Sequence, residues 1–189
     1  MSTAYSVGQM NQLADALEGA GFTPGDVTKL RSFSRLPEIR SVLLGFSQIV
    51  VVKHVIDLDA NPFVPDGWEV DEHIKGGQLE WNPAMVALYV SEDQQNGKVI
   101  QGLKLRKELK GKPVYNANLL DYLLAHPELI PESWKGQEVF FWGSIYRDRG
   151  GSLNVRYLHW NGSRWHWIFH LLDGVWRADD PAAVPASSS

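Results

Sequence analysis

The chain of 189 residues is 44% hydrophobic and 21% charged, the size and balance of one globular domain or of a domain with an appendage. A formal net charge of −4 speaks against indiscriminate binding to phosphate backbones, while leaving room for a local basic surface. With no cysteine, disulfides, thiol catalysis and cysteine-ligated zinc are excluded.

Met10, Leu13, Ala14 and Leu17 fall at i, i+3, i+4 and i+7, which predicts an amphipathic helix over residues 6–18, ended by the glycines at 19 and 21. In "TPGD", Thr23 is the expected N-cap of a second short helix, with Pro24 at its first position and Asp26 where the helix dipole favours an anion. A third helix is expected from Pro37, with Ile39, Val42, Leu43 and Phe46 on its apolar face. The β-branched run "QIVVVKHVIDL" then reads as a strand buried on both faces. "WEVDEHIKGGQLEW" alternates about Gly76-Gly77 and predicts a tight hairpin placing Ile74 opposite Leu79 and His73 opposite Glu80. "NPAMVALYVSEDQQNG" fits a helical turn and a strand equally well. Helices follow over residues 98–109 and 117–125, the second with Asn118 as expected N-cap, Asp121 three residues on, and Pro127 as its stop. Residues 137–178 read as a β-meander, and "DDPAAVPASSS" as a frayed tail.

The expected architecture is therefore α+β. Short N-terminal helices (1–47) precede a domain (48–180) in which two helices cover an antiparallel sheet ending in a tryptophan-rich meander, and residues 181–189 form a flexible tail. The start "MSTAYSVGQMNQLADALEG" has no basic stretch followed by an apolar one, and no apolar run is long enough to span a bilayer. A cytoplasmic protein without a membrane partner is the resulting expectation.

The blocks "DANPFVPDGW", "KGGQLEWNP", "NANLLDYLLAHPELIPESWKG", "FFWGSIYRD" and "PAAVPAS" together resemble a family of small uncharacterised bacterial proteins, over roughly residues 55–186. The resemblance implies a bacterial origin and carries no activity, cofactor or site residue.

Four groups of residues invite a functional reading. In "YLHWNGSRWHWIFH", a loop of two or four residues at "NGS" would put His159, His166 and His170 on one sheet face with Tyr157 and Val155, and Leu158, Trp165, Trp167 and Phe169 on the other. Only His159 and His166 are then close enough to cooperate, so they form the candidate metal pair, in need of a further ligand. Aromatic faces also stack on ligands, which makes Trp160, Trp165, Trp167 and Trp176, with Arg156, the candidate ligand-binding set. Trp165 and Trp167 fit a core face as well, whereas Trp160 at a turn and Trp176 after "LDG" are expected to be exposed. The basic segment "KVIQGLKLRKELKGK" offers Lys104, Arg106, Lys107 and Lys110 to phosphates or to an acidic partner, against the plainer reading of a solvated helix face.

The N-terminal helices loosely resemble a helix-turn-helix, but their basic and acidic residues balance. Asp57, Asp59, Asp66, Asp71 and Glu72 surround a Pro/Gly-rich loop as possible acid–base or cation ligands. No phosphate-binding glycine loop, GxSxG elbow, HExxH or EF-hand pattern is present. The reading that follows is a non-enzymatic binding or interaction module with a protein or small-ligand partner and no cofactor, working through the Trp/His-rich sheet. A DNA-associated protein and a metal-dependent hydrolase are the alternatives.

Overall fold

The computed structural model describes residues 4–50 and 52–186, and the chain divides into two compact units, Met1–Val52 and Lys53–Ser189. Among the described residues no helix is long and apolar enough to cross a membrane.

The first unit holds α1 (Val7–Gly19), α2 (Pro24–Leu30) and α3 (Leu36–Leu43), close to where periodicity and caps predict them. Capping boxes start the first two: Ser6 accepts from the Gln9 N–H and Thr23 from the Asp26 N–H, while the Gln9 and Asp26 side chains accept in return from the cap N–H groups. No residue of these three helices is buried. The apolar run expected as one long strand is strand only at β1 (Val55–Asp57); Ile49, Val50 and Val52 are exposed, and residue 51 lies outside the described residues. β-branched composition favours a strand only where a partner ladder and a cover exist, and β1 is paired over just three residues.

The second unit continues with β2 (Glu69–His73), β3 (Gln78–Glu80), β4 (Val86–Tyr89), β5 (Ile100–Gln101), α4 (Gly102–Leu109), α5 (Ala117–Ala125), β6 (Val139–Arg147), β7 (Leu153–Trp160), β8 (Trp165–Leu171), β9 (Val175–Trp176) and β10 (Ala182–Pro185). The main sheet runs β4-β10-β6-β7-β8, and β2 pairs with the far end of β6; β1 with β3 and β5 with β9 form two small ribbons. The α+β class is as expected, and one strand pair, β10 with β6, is parallel.

The Gly76-Gly77 hairpin does not form. His73 stands opposite Ser144 and Glu80 opposite Val55, so neither expected pair meets. A tight hairpin turn needs positive φ at both glycines, but only Gly77 has it (71°). Gly76 serves close packing instead: a Cβ there would lie 2.9 Å from Leu58 Cδ1. The ambiguous segment resolves into 3₁₀ turns at Pro83–Met85 and Glu92–Gln94 flanking β4. The first covering helix starts at Gly102 rather than Lys98, because Ile100 and Gln101 pair with β9.

The N-cap of α5 is Asn116, not Asn118. The Asn116 side chain accepts from the Asn118 N–H and donates to the Leu58 and Ile74 carbonyls, tying three segments to the helix start. The expected tail is a strand over Ala182–Pro185, with Ala182 and Ala183 buried between β4 and β6; residues 187–189 lie outside the described residues. Small side chains read as unable to pack are what the centre of a sheet covered on both faces accepts.

Alternation along β6 separates two cores. Val139 and Phe141 join Leu119, Leu120 and Leu123 of α5, whereas Phe140 and Trp142 join Leu105 and Leu109 of α4. The helices therefore cover opposite faces, making three layers. A bulge at 141–144 then shifts the alternation, so that Ile145 falls on the α4 side while the Ser144 hydroxyl accepts from the Ala117 N–H at the start of α5. Gly143 sits at this crossing, where a Cβ would lie 2.9 Å from Asn116 N and Cα.

Candidate functional site

The β7–β8 hairpin is closed by residues 161–164, with the Asn161 carboxamide oxygen accepting from the Ser163 and Arg164 N–H groups. This four-residue connection gives the face assignment set out from the sequence: His159 opposite His166, Val155 opposite His170, Leu158 opposite Trp167 and Trp160 opposite Trp165. Trp165 and Trp167 pack half-buried against the α5 core. Trp160 is half-buried at the hairpin end, with Lys135 Nζ 4.1 Å from its ring centre.

Two members of the ligand-binding set turn out to be interior. Trp176 is fully buried because β9 leaves the meander to pair with β5, which lays its ring 4.1 Å from Phe140 and 4.6 Å from Trp142. Gly102 makes the room: a Cβ there would lie 2.4 Å from Trp176 Nε1. Arg156 is also fully buried, donating Nη1 to Asp121 Oδ2 at 3.0 Å and Nη2 to Asp121 Oδ1, with its guanidinium carbon 4.4 Å from the Trp167 ring centre. The tryptophans therefore mostly pack, and no open aromatic platform is formed by the set as a whole.

The histidine pair is brought together, with ring centres 5.1 Å apart and His159 Nδ1 3.7 Å from Glu138 Oε1. Partial burial and the neighbouring His159 lower the His166 pKa. His170 is engaged elsewhere, its Nε2 3.1 Å from the Val175 carbonyl. Among the described residues no three His, Cys, Asp or Glu side chains converge as metal ligands. Beside the pair lies a cleft of about 260 Å³ lined by Glu138, His170, Val175, Arg177, Asp179 and Asp180. Burial, then the charge of Asp180, raises the Glu138 pKa; burial raises Asp180; and burial with both carboxylates pushes the Tyr157 phenol to about 12. The loop acids have other partners: Asp71 pairs with Arg106 and Arg147, Glu72 with Arg106, and Asp66 with Arg149.

The basic segment has the more selective geometry. Lys104 pairs with Asp93, and Arg106 with Asp71 and Glu72, so two of the four candidate cations are already neutralised. Among the described residues Lys107 and Lys110 make no ion pair. With Arg106 and Glu72 they rim a cleft of about 270 Å³ whose apolar walls are Ile74, Leu109, Val114, Trp142 and Ile145. The α4 repeat explains the arrangement: Leu105 and Leu109 turn into the sheet, leaving Arg106, Lys107 and Lys110 along the edge of that contact. Trp142, part of this wall, is almost wholly buried, and its indole N–H has no acceptor. Sequence reasoning found the cations and missed the walls outside α4, which come from β6 and from the chain after β2 and after α4. The signal that joins them is the apolar Leu105/Leu109 spacing inside the charged run, which marks a face needing a sheet to cover it.

Compared with known proteins, the chain matches no family model, no curated protein and no solved structure.

Proposed function

We propose that the Lys53–Ser189 unit is a non-enzymatic binding module for a small amphipathic anion, a carboxylate or phosphate on a compact apolar body, seated between α4 and the sheet. The observation that carries the reading is the pairing of two unneutralised lysines with an apolar wall at the edge of the α4–sheet contact. An anion at the rim gains charge-assisted hydrogen bonds, and its apolar body replaces water on Ile74 and Val114, the accessible part of the wall. At about 270 Å³ the cleft suits a ligand near the small end of the usual range. For ~13 non-hydrogen atoms at about 0.3 kcal/mol each, the dissociation constant falls near 1 mM or slightly above. Duplex DNA is the weaker alternative, since Lys104 and Arg106 are already paired. We place the module in the bacterial cytoplasm, which fractionation of the source cells tests.

Calorimetric titration with 2-naphthoate, and with the isosteric 2-naphthamide as the uncharged control, tests the reading. Naphthoate should bind at least about fivefold more tightly than the amide, and the K107Q/K110Q variant should abolish that preference without moving the unfolding midpoint. Equal binding of acid and amide, no binding of either, or an unchanged preference in the variant would overturn it.

A second reading, proton transfer at the Glu138–Asp180 cleft, is favoured by the raised carboxyl groups there. Carbon-13 titration showing both carboxyls at ordinary values removes it.

A further inference from the structure

We infer that the N-terminal helical unit is a self-association element, and that the groove between α1 and α2 is covered by the same groove of a second copy of the chain. Three helices are present, the first two begun by capping boxes, yet none of their residues is buried. Short helices owe most of their stability to packing an apolar face, so helices this well specified by sequence call for a cover. The groove, about 370 Å³, is walled by Met10, Leu13, Leu17, Phe22 and Val27, with Glu18 on its rim. Met10, Leu13 and Leu17 follow the three-four spacing of a helix that seats against another helix.

Charge identifies the occupant. Residues 1–52 carry Asp15, Glu18, Asp26 and Glu38 against Lys29, Arg31, Arg35 and Arg40, so the unit is neutral and does not repel its copy. Asp26 pairs with Lys29, and Glu38 with Arg35. That leaves Asp15 and Glu18 on α1, and Arg31 and Arg40 beyond it, exposed and without an ion-pair partner among the described residues. Glu18 borders the groove, and Arg31 follows Val27 of the groove by four residues, one turn along α2 and at its C-cap. One surface thus carries an apolar centre, an unpaired anion and an unpaired cation. A two-fold axis through the groove places apolar side chains on apolar side chains and Glu18 of each copy toward the partner's Arg31, the self-complementarity that an isologous interface requires. A strongly acidic or basic partner would satisfy only one of the two charges.

Sedimentation of the full chain up to roughly 0.1 mM tests the inference, with four samples: wild type, L13D, E18R and R31E. Wild type should dimerise, L13D should weaken association at least about tenfold, and E18R and R31E should each weaken it several-fold. An equimolar mixture of E18R and R31E should recover wild-type association as a mixed dimer, since both cross-contacts are then attractive. A variant that merely lost its helices would not be rescued by mixing. A monomeric wild type, a dimer insensitive to L13D, or a mixture no tighter than its components would each overturn the inference. So would a monomer in which L13D lowers the unfolding midpoint of the second unit, because the groove would then pack on the chain's own remainder.

Discussion

Removing Asp121 should cost more stability than removing Arg156, although the two form one ion pair. The Arg156 side chain is 0% exposed and that of Asp121 31%, so the D121A variant strands a guanidinium that no water reaches. Breaking a buried pair from one side costs about 3–5 kcal/mol. The third of Asp121 open to solvent reduces this, because water already screens the pair. The guanidinium also keeps the faces of Trp167, at 4.4 Å, and Phe63, at 5.2 Å, each worth about 1 kcal/mol or more to a desolvated cation. About 2–4 kcal/mol is then expected for D121A, a large share of the roughly 5–15 kcal/mol that a domain has.

The opposite change, R156M, leaves a carboxylate that can turn to water and puts an apolar chain of similar length among the rings, for about 0–1.5 kcal/mol. Urea unfolding followed by tryptophan fluorescence measures both. All eight tryptophans lie between residues 68 and 176, so the signal reports the second unit alone. R156M costing as much as D121A would refute the argument that the stranded cation dominates.

The other predictions concern the sheet and the acidic cleft. A183D places a carboxylate where Ala183 is fully buried between β4 and β6, and should lower the same unfolding midpoint by about 3 kcal/mol or more; an unchanged midpoint would mean that β10 is not part of the sheet. G143A should cost about 1–3 kcal/mol, because the added carbon meets Asn116 backbone rather than a side chain that can swing away. E138Q should act with a definite sign. Glu138 is held above its unfolded value of 4.5, so its contribution to stability is complete below that value and is lost as pH rises through the higher native one. The amide variant should therefore be more stable than wild type near pH 7, by no more than about 1 kcal/mol given partial exposure, and should lose that advantage near pH 4. Unfolding midpoints of the two proteins at both pH values check it.

What the sequence shows best is whatever is decided by neighbours in the chain. The Met10/Leu13/Leu17 stripe, the Thr23 cap, the bounds of α5 and the pairing of His159 with His166 all follow from spacings of a few residues and one turn. Arg156 and Trp176 were misplaced because their surroundings come from far away. Arg156 meets Asp121 from across the helix–sheet layer, and Trp176 is drawn inward by a ribbon with Ile100. Alternation along β7 orders the side chains correctly but does not say which face α5 will cover, and an arginine is by default an exposed residue. At Gly76-Gly77 the local signal was real and lost to packing against Leu58. The basic cleft was half visible: its lysines stand out in the sequence, whereas Trp142 becomes their neighbour only when α4 is laid on the sheet.

The position of β10 has a consequence for how the protein is made. Tyr89 of β4 and Phe140 of β6 both pair with Ala182, so two strands of the sheet stay unjoined until a segment roughly ninety residues after β4 has left the ribosome, on the order of 5–20 s at usual elongation rates. During that interval the waiting side of β4, joined later by that of β6 near Phe140, is unpaired backbone flanked by apolar side chains, open to strands of other nascent chains. Pairings between such distant segments also form slowly once all of them are present. The hazard in producing this protein is therefore concentrated before completion of the sheet, and lower temperature or dilution during expression should raise the soluble yield more than any change to the finished surface.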